Sequence, residues 1–164
     1  MKDYMNNSNL LFNSSFGVKL TPAEIVKVIS DYISQDPKRE YKVIVGTDSE
    51  KGLDDKADFV TAIVIHRVGN GGRYFWRHIE AGKIYTLRDR MWKEVIFSLE
   101  FSKELVVLLK NAGLEKYGFE IHVDVGENGA TRSMIQELVG AIRANNFEAK
   151  TKPESYAASK VADR

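Results

Sequence analysis

Three acidic residues stand where the elements predicted around them can bring their carboxylates together. Asp48 ends one apolar segment, Asp124 lies near the end of another, and Glu94 lies within a long helical pattern. Two ionised carboxylates at short distance repel each other unless one takes up a proton or a cation lies between them. Hard divalent cations such as Mg²⁺ prefer oxygen ligands. The residues alone leave two readings open, a metal site or a pair of exposed loop aspartates.

The strands predicted from the sequence decide whether Asp48 and Asp124 can meet. Five segments have β-branched, aromatic or alternating patterns, namely 41–48, 59–67, 73–80, 117–125 and 147–152. The first three form an antiparallel meander, because a glycine-rich turn at 69–72 joins the second to the third. A long helix precedes the fourth strand, which can therefore lie parallel to the first. Neighbouring strands are about 4.8 Å apart, so this arrangement brings the two aspartates together.

Helices are predicted over 21–36, 87–112, 131–144 and 153–164. The first begins with a capping box formed by Thr21 and Glu24. On the long helix, the sector that contains Glu94 also contains Leu87, Met91, Val95 and Leu105. An unpaired carboxylate on an apolar face is costly. Glu94 is therefore expected to have a metal, a hydrogen-bond donor or a proton as partner, unless it reaches water at the helix edge.

Composition limits the classes of protein that fit this chain. It has 164 residues, a net charge of +1 and no cysteine, which excludes disulfides, thiolate catalysis and sulfur-ligated zinc. Its longest apolar run is too short to span a bilayer, so we expect a cytoplasmic protein that does not contact membranes. We predict an irregular N-terminal arm over 1–17 and a single domain over 18–164.

Several motifs, in order, resemble one family over nearly the whole chain. They are YKVIVGTDS at 41–49, IVIHR at 63–67, Glu94 within MWKEV, HVDVG at 122–126, and KTKPESYAASKVAD at 150–163. Together they resemble the small, uncharacterised YkuK-like group of the ribonuclease H-like superfamily. The resemblance implies an α/β fold with a five-stranded mixed sheet of order 3-2-1-4-5, flanked by helices and extended by the N-terminal helix.

The same resemblance implies a nuclease-type metal site. Asp48, Glu94 and Asp124, with Asp163 on the last helix, are the implied catalytic residues and metal ligands. The implied cofactor is a pair of Mg²⁺ or Mn²⁺ ions about 3.5–4 Å apart, which activate a water and stabilise the leaving oxygen of a phosphodiester. No nucleophilic side chain is needed, in keeping with the absence of cysteine.

Other polar residues near these acids are candidates for contact with substrate. Thr47 and Ser49 flank Asp48, and Arg132 follows the loop after Asp124. Lys150 and Lys152 alternate onto one face of the fifth strand. His122 lies on the same side of its strand as Asp124 and is a candidate supporting residue behind the ligands, although a packed, hydrogen-bonded histidine is the more common case.

Two functions from different classes fit these features. The first is a metal-dependent nuclease that hydrolyses RNA, DNA or a hybrid by a two-metal mechanism. The second is a non-catalytic ribonuclease H-like module that binds nucleic acid or a protein partner, which suits the near-neutral charge. A phosphotransferase of the actin-like branch is a remote third, because the chain is short for two lobes.

Overall fold

The protein is described by a computed structural model over residues 10–127 and 129–156. Its strands are β1 (Asn13–Ser14), β2 (Tyr41–Lys51), β3 (Lys56–Arg67), β4 (Gly72–Lys83), β5 (Gly118–His122) and β6 (Glu148–Lys150). Its helices are α1 (Pro22–Gln35), α2 (Leu87–Asn111) and α3 (Ile135–Ala144). Short 3-10 helices lie at Leu53–Asp55 and Arg132–Met134.

The sheet confirms the predicted class and the predicted strand neighbours. Its order is β1-β4-β3-β2-β5-β6, so the five predicted strands keep their relative order and β1 adds a sixth at the edge. β2 and β3 are antiparallel, as are β3 and β4, whereas β2 and β5 are parallel. The segment predicted as an irregular arm thus supplies β1, together with the fully buried Phe12.

The described helices pack on one face of the sheet. Val43 and Val45 of β2 join a core cluster with side chains of α1 and α2, and Ile121 of β5 joins a second cluster with α2 and α3. Because side chains alternate along a strand, the residues at even-numbered positions of β2 and β5 lie on the opposite face. That face carries Asp48 and, just beyond β5, Asp124.

Several predicted elements differ from the observed ones. β2 continues past Asp48, which was predicted to end it, to Lys51. β5 ends at His122 rather than at 125, because the backbone beyond it bonds only toward β6, through Val123 N to Lys150 O and Lys152 N to Val125 O. The helix predicted from 131 begins as a 3-10 turn, where Thr131 makes no side-chain cap. Residues 152–154 form a turn, and the amides of Glu154 and Ser155 donate to Thr151 O, so no helix begins at Pro153. The predicted last helix beyond residue 156 lies outside the described residues.

The long helix α2 is fixed to the sheet by aromatic packing. Phe101 is 2 % exposed and its ring centroid lies 5.0 Å from that of Phe12. In the part of the chain that the structure describes, no helix is both long and apolar enough to cross a membrane. The buried side chains of α2, among them Phe97, Phe101 and Leu105, lie on one side of the helix and pack in the core of the domain.

Truncation of Phe101 is expected to destabilise the fold strongly. Phe101→Ala removes a buried ring and leaves a cavity, which lowers the free energy of unfolding by about 3–5 kcal/mol. The matched control is Val107→Ala on the same helix, whose side chain is 57 % exposed and whose loss is expected to cost less than about 0.5 kcal/mol. Urea denaturation of the wild type and the two variants measures the unfolding free energies. An equal decrease in both variants would contradict the packing of Phe101 in the core.

Candidate metal centre

Asp48 and Asp124 occupy equivalent positions on neighbouring parallel strands. The last β2–β5 pair is Gly46 opposite His122. Each aspartate lies two residues beyond that pair, so both follow the ends of the same ladder on the same face of the sheet. Both side chains are partly buried. The prediction that the sheet brings these two acids together at one edge is therefore supported by the register.

Glu94 reaches this edge from the helix side. Its side chain is 2 % exposed on α2, and Ser49 Oγ donates a hydrogen bond to its Oε1. Its Oε2 is also buried and has no hydrogen-bond partner among the described residues. Burial raises the pKa of Glu94 to about 8, against the lowering by Ser49, and the charges of Asp48 and Asp124 add to the rise. Both aspartates are thus close enough to Glu94 to oppose its ionisation.

The two hydroxyl residues beside Asp48 take different positions. Thr47 is buried, and its Oγ1 lies 2.9 Å from Thr61 Oγ1 and 2.8 Å from Ser98 Oγ. The structure thus gives Thr47 a packing role between strand and helix rather than an exposed one. Ser49 holds Glu94, and its backbone N–H donates to Asp48 Oδ1 at 2.9 Å. Ser49 therefore links two of the three acids directly.

The lysines of the fifth predicted strand have carboxylate partners. Lys152 Nζ lies 3.0 Å from Asp124 Oδ1. Lys150 Nζ lies 3.2 Å from a Glu148 oxygen and 3.9 Å from a Glu154 oxygen. Of these two lysines, Lys152 contacts a candidate ligand that the structure describes, and it brings a positive charge to the place where a cation is expected.

His122 is packed and hydrogen-bonded behind Asp124. It is 3 % exposed, and its Nδ1 accepts a hydrogen bond from the backbone N–H of Tyr156 at 3.2 Å. Since that nitrogen accepts, the ring proton is on Nε2, which donates to Glu120 Oε1 at 3.1 Å. Burial lowers the pKa of His122, against the raising effect of Glu120. His122 is a neutral structural residue that ties the chain near Tyr156 to the sheet.

Two predicted site residues remain, Arg132 and Asp163. The first lines a separate groove, and the second lies outside the described residues. Arg132 lines an open groove of about 580 Å³ beside Gly129 and Ser133, at the start of the 3-10 helix that precedes α3. Asp163 lies outside the described residues, so its part in the site stays a prediction.

A small cationic cavity near Glu94 was not predicted. It measures about 240 Å³ and is lined by Lys51, Ile84, Tyr85, Thr86, Leu87 and Arg90 at the N-terminal end of α2. Lys51 lies two residues after Ser49 on β2, and Arg90 lies one helical turn before Glu94. In the sequence, the spacing of four residues between Arg90 and Glu94 on a helix was the signal from which a positive charge near Glu94 could have been predicted. Lys51 Nζ also lies 3.1 Å from Asp55 Oδ1.

The chemistry of these side chains fits a hard divalent cation, although their present arrangement is not a finished ligand set. Among residues 10–127 and 129–156, no three His, Asp or Glu side chains are grouped tightly enough to hold a metal ion. Three features favour a cation: the oxygen-only donors, the unsatisfied Glu94 Oε2, and the repulsion that Asp48 and Asp124 exert on the ionised form of Glu94. A cation at this edge would compete with Lys152, whose ammonium group contacts Asp124 Oδ1.

Comparisons with known proteins agree with the fold. The family model described as "Ribonuclease H-like" matches residues 24–164. The chain is 31% identical to the "Uncharacterized protein YkuK" of Bacillus subtilis (strain 168), over 98% of both chains. No solved structure matches the chain. The chain therefore belongs to the ribonuclease H-like family, in the group that includes YkuK.

Proposed function

We propose that this protein is a metal-dependent nuclease that hydrolyses phosphodiester bonds in RNA, DNA or a hybrid. The observation that carries the proposal is Glu94, a carboxylate buried beside Asp48 and Asp124 with one oxygen left without a hydrogen bond among the described residues. A buried acid next to two others is costly to maintain without a counter-charge. Such groups are concentrated at functional sites.

Each residue has a defined task in this proposal. Asp48, Glu94 and Asp124 hold Mg²⁺ or Mn²⁺, with Asp163 as a further ligand. Bound there, the ions supply an activated water and a positive charge for the leaving oxygen, by a two-metal mechanism. Ser49 orients Glu94 through its hydroxyl and Asp48 through its backbone N–H.

The substrate is a nucleic acid, bound through its phosphates. Lys51 and Arg90 line the cavity one helical turn from Glu94, where the N-terminal amides of α2 add a partial positive charge. A phosphate next to the scissile one can be bound there. Arg132, which lines the open groove before α3, would contact a more distant part of the nucleic acid backbone.

The proposal is tested by cleavage of labelled single-stranded, duplex and hybrid substrates with Mg²⁺ or Mn²⁺. We expect cleavage by the wild type to stop with chelator and to fall to background in Asp48→Asn and Asp124→Asn. The matched control is Asp58→Asn on β3, because Asp58 is exposed and pairs with His78 at 3.0 Å rather than with the site. Cleavage that persists unchanged in both site variants would come from a contaminant and would contradict the proposal.

A non-catalytic binding module is the second candidate. Two observations favour it: the ion pair that already occupies Asp124, and the lack of a closed three-ligand group in the described part of the chain. The absence of cleavage together with the absence of Mn²⁺ binding, in the same preparation, would select this candidate over the nuclease.

A further inference from the structure

Lys152 is held against Asp124 by more than its charge. Its backbone N–H donates to Val125 O at 2.8 Å, so its Cα is fixed beside the end of β5. Its side chain then crosses Gly126, where an added Cβ would lie only 3.0 Å from Lys152 Cβ and 3.4 Å from its Cδ. Gly126 therefore leaves the space that lets the ammonium group reach Asp124 at 3.0 Å.

The same ammonium group is free to leave. The Lys152 side chain is 57% exposed, whereas that of Asp124 is 28% exposed. An ion pair with this exposure is weak, because water screens it and both side chains lose rotamer freedom. A divalent cation at Asp124 would outcompete one ammonium group for the carboxylate and would also repel it.

We propose that Lys152 has two alternating partners: Asp124 when the site holds no metal, and a backbone phosphate of the bound nucleic acid when it does. The inference rests on the nuclease site proposed above. In the metal-free state Lys152 neutralises part of the acidic cluster and so limits the repulsion between Asp124 and its neighbours. Once displaced, its ammonium group is a positive charge beside the proposed metal site, where the phosphates of a bound nucleic acid are the available anions.

A residue shared in this way couples the two ligands. Metal binding frees Lys152 for the nucleic acid, and nucleic acid binding removes the competitor of the metal at Asp124. By linkage, the metal must strengthen nucleic acid binding by the same factor by which nucleic acid strengthens metal binding. Removal of the ammonium group abolishes that part of the coupling.

The test is Lys152→Met, which keeps a long side chain across Gly126 and removes the charge. Titration with Mn²⁺ alone, followed by electron paramagnetic resonance of the free ion, is expected to show about two- to fivefold tighter binding than in the wild type. The control is Lys103→Met, which removes an exposed lysine of α2 and is expected to leave Mn²⁺ affinity unchanged. A variant that is merely damaged would bind the ion more weakly, so the direction of the change separates the two explanations.

The second arm measures binding of a fluorescent single-stranded RNA, with Ca²⁺ present or with chelator. In the wild type we expect Ca²⁺ to tighten RNA binding, and in Lys152→Met we expect that gain to shrink and the salt dependence to fall by about one counterion. Equal Mn²⁺ affinities in the wild type and Lys152→Met, or an equal tightening of RNA binding by Ca²⁺ in the two proteins, would overturn the proposed role of Lys152. The proposed nuclease site would not be affected by that result. A wild type that binds no Mn²⁺ would instead overturn the proposed nuclease site.

Discussion

Replacement of Glu94 by Gln is expected to stabilise the metal-free protein at alkaline pH while it abolishes metal binding. The pKa of Glu94 is about 8 in the folded protein and near 4.5 when unfolded. Below pH 4.5 both states carry the proton, so the favourable contribution of the neutral carboxyl is fully present. As the pH rises only the unfolded chain releases the proton, and stability falls until Glu94 itself ionises near pH 8. The total loss is about 5 kcal/mol, as an order of magnitude.

Glu94→Gln removes this loss because the amide is neutral at every pH. The difference in unfolding free energy between variant and wild type is therefore expected to be small near pH 4.5 and to rise toward several kcal/mol above pH 8. Denaturant unfolding in chelator at each pH measures it. His122, whose pKa burial lowers, adds a loss of stability on the acid side, but it is common to both proteins and cancels in the difference.

The control for this comparison is Glu100→Gln, a partly buried glutamate on the same helix that is remote from the aspartates. Its difference curve is expected to lack the rise toward pH 8 seen with Glu94→Gln, because the Glu94 carboxyl is retained. Addition of Mn²⁺ at high pH is expected to raise the unfolding free energy of the wild type, because its ionised Glu94 binds the ion. It is expected to leave the unfolding free energy of Glu94→Gln unchanged, because that variant lacks the carboxylate. A Glu94→Gln protein that is less stable than the wild type above pH 8 would contradict the burial of an unsatisfied acid at this position.

The positions of the three acids could be predicted from the sequence, because they depend on the helical repeat and on the order and direction of the strands. Glu94 falls in the apolar sector of a regular helix, so its burial follows from an angle of about 100° per residue. Asp48 lies on β2 and Asp124 just beyond β5, two strands that the long crossover helix α2 makes parallel, and the register then places the two residues level with each other. These relations depend on backbone geometry, which a pattern of residue types specifies well.

The partners of individual side chains could not be predicted in this way. A period of two shows that Arg73 and Arg77 share a face of β4. It does not show that α1 and the N-terminal segment cover that face, where the two guanidinium groups lie over the rings of Tyr32 and Phe12. Lys152 was predicted to contact substrate, and its ion pair with Asp124 depends on how closely its stem passes Gly126. Such contacts are set by side-chain packing between segments far apart in sequence.

The high pKa of Glu94 also makes metal affinity depend steeply on pH. A metal ligand must be deprotonated, and below pH 8 Glu94 carries a proton that the ion has to displace. The apparent affinity for Mn²⁺ is therefore expected to rise about tenfold per pH unit from about pH 6 to about pH 8 and then to level off. The sign follows from the raised pKa, since a carboxyl with an ordinary pKa would be ionised throughout this range and would give a flat profile.

Calorimetry in buffers of different ionisation enthalpy measures the accompanying proton. We expect close to one proton released for each Mn²⁺ bound near pH 6.5 and about half a proton near pH 8, where Glu94 is half ionised. Asp58→Asn is expected to reproduce both values, because its pair with His78 lies outside the three acids. An affinity that does not change between pH 6 and pH 8, with no proton released, would mean that Mn²⁺ binds without Glu94. The cation would then have to be placed on Asp48 and Asp124 alone, and the buried acid would lose its part in the chemistry.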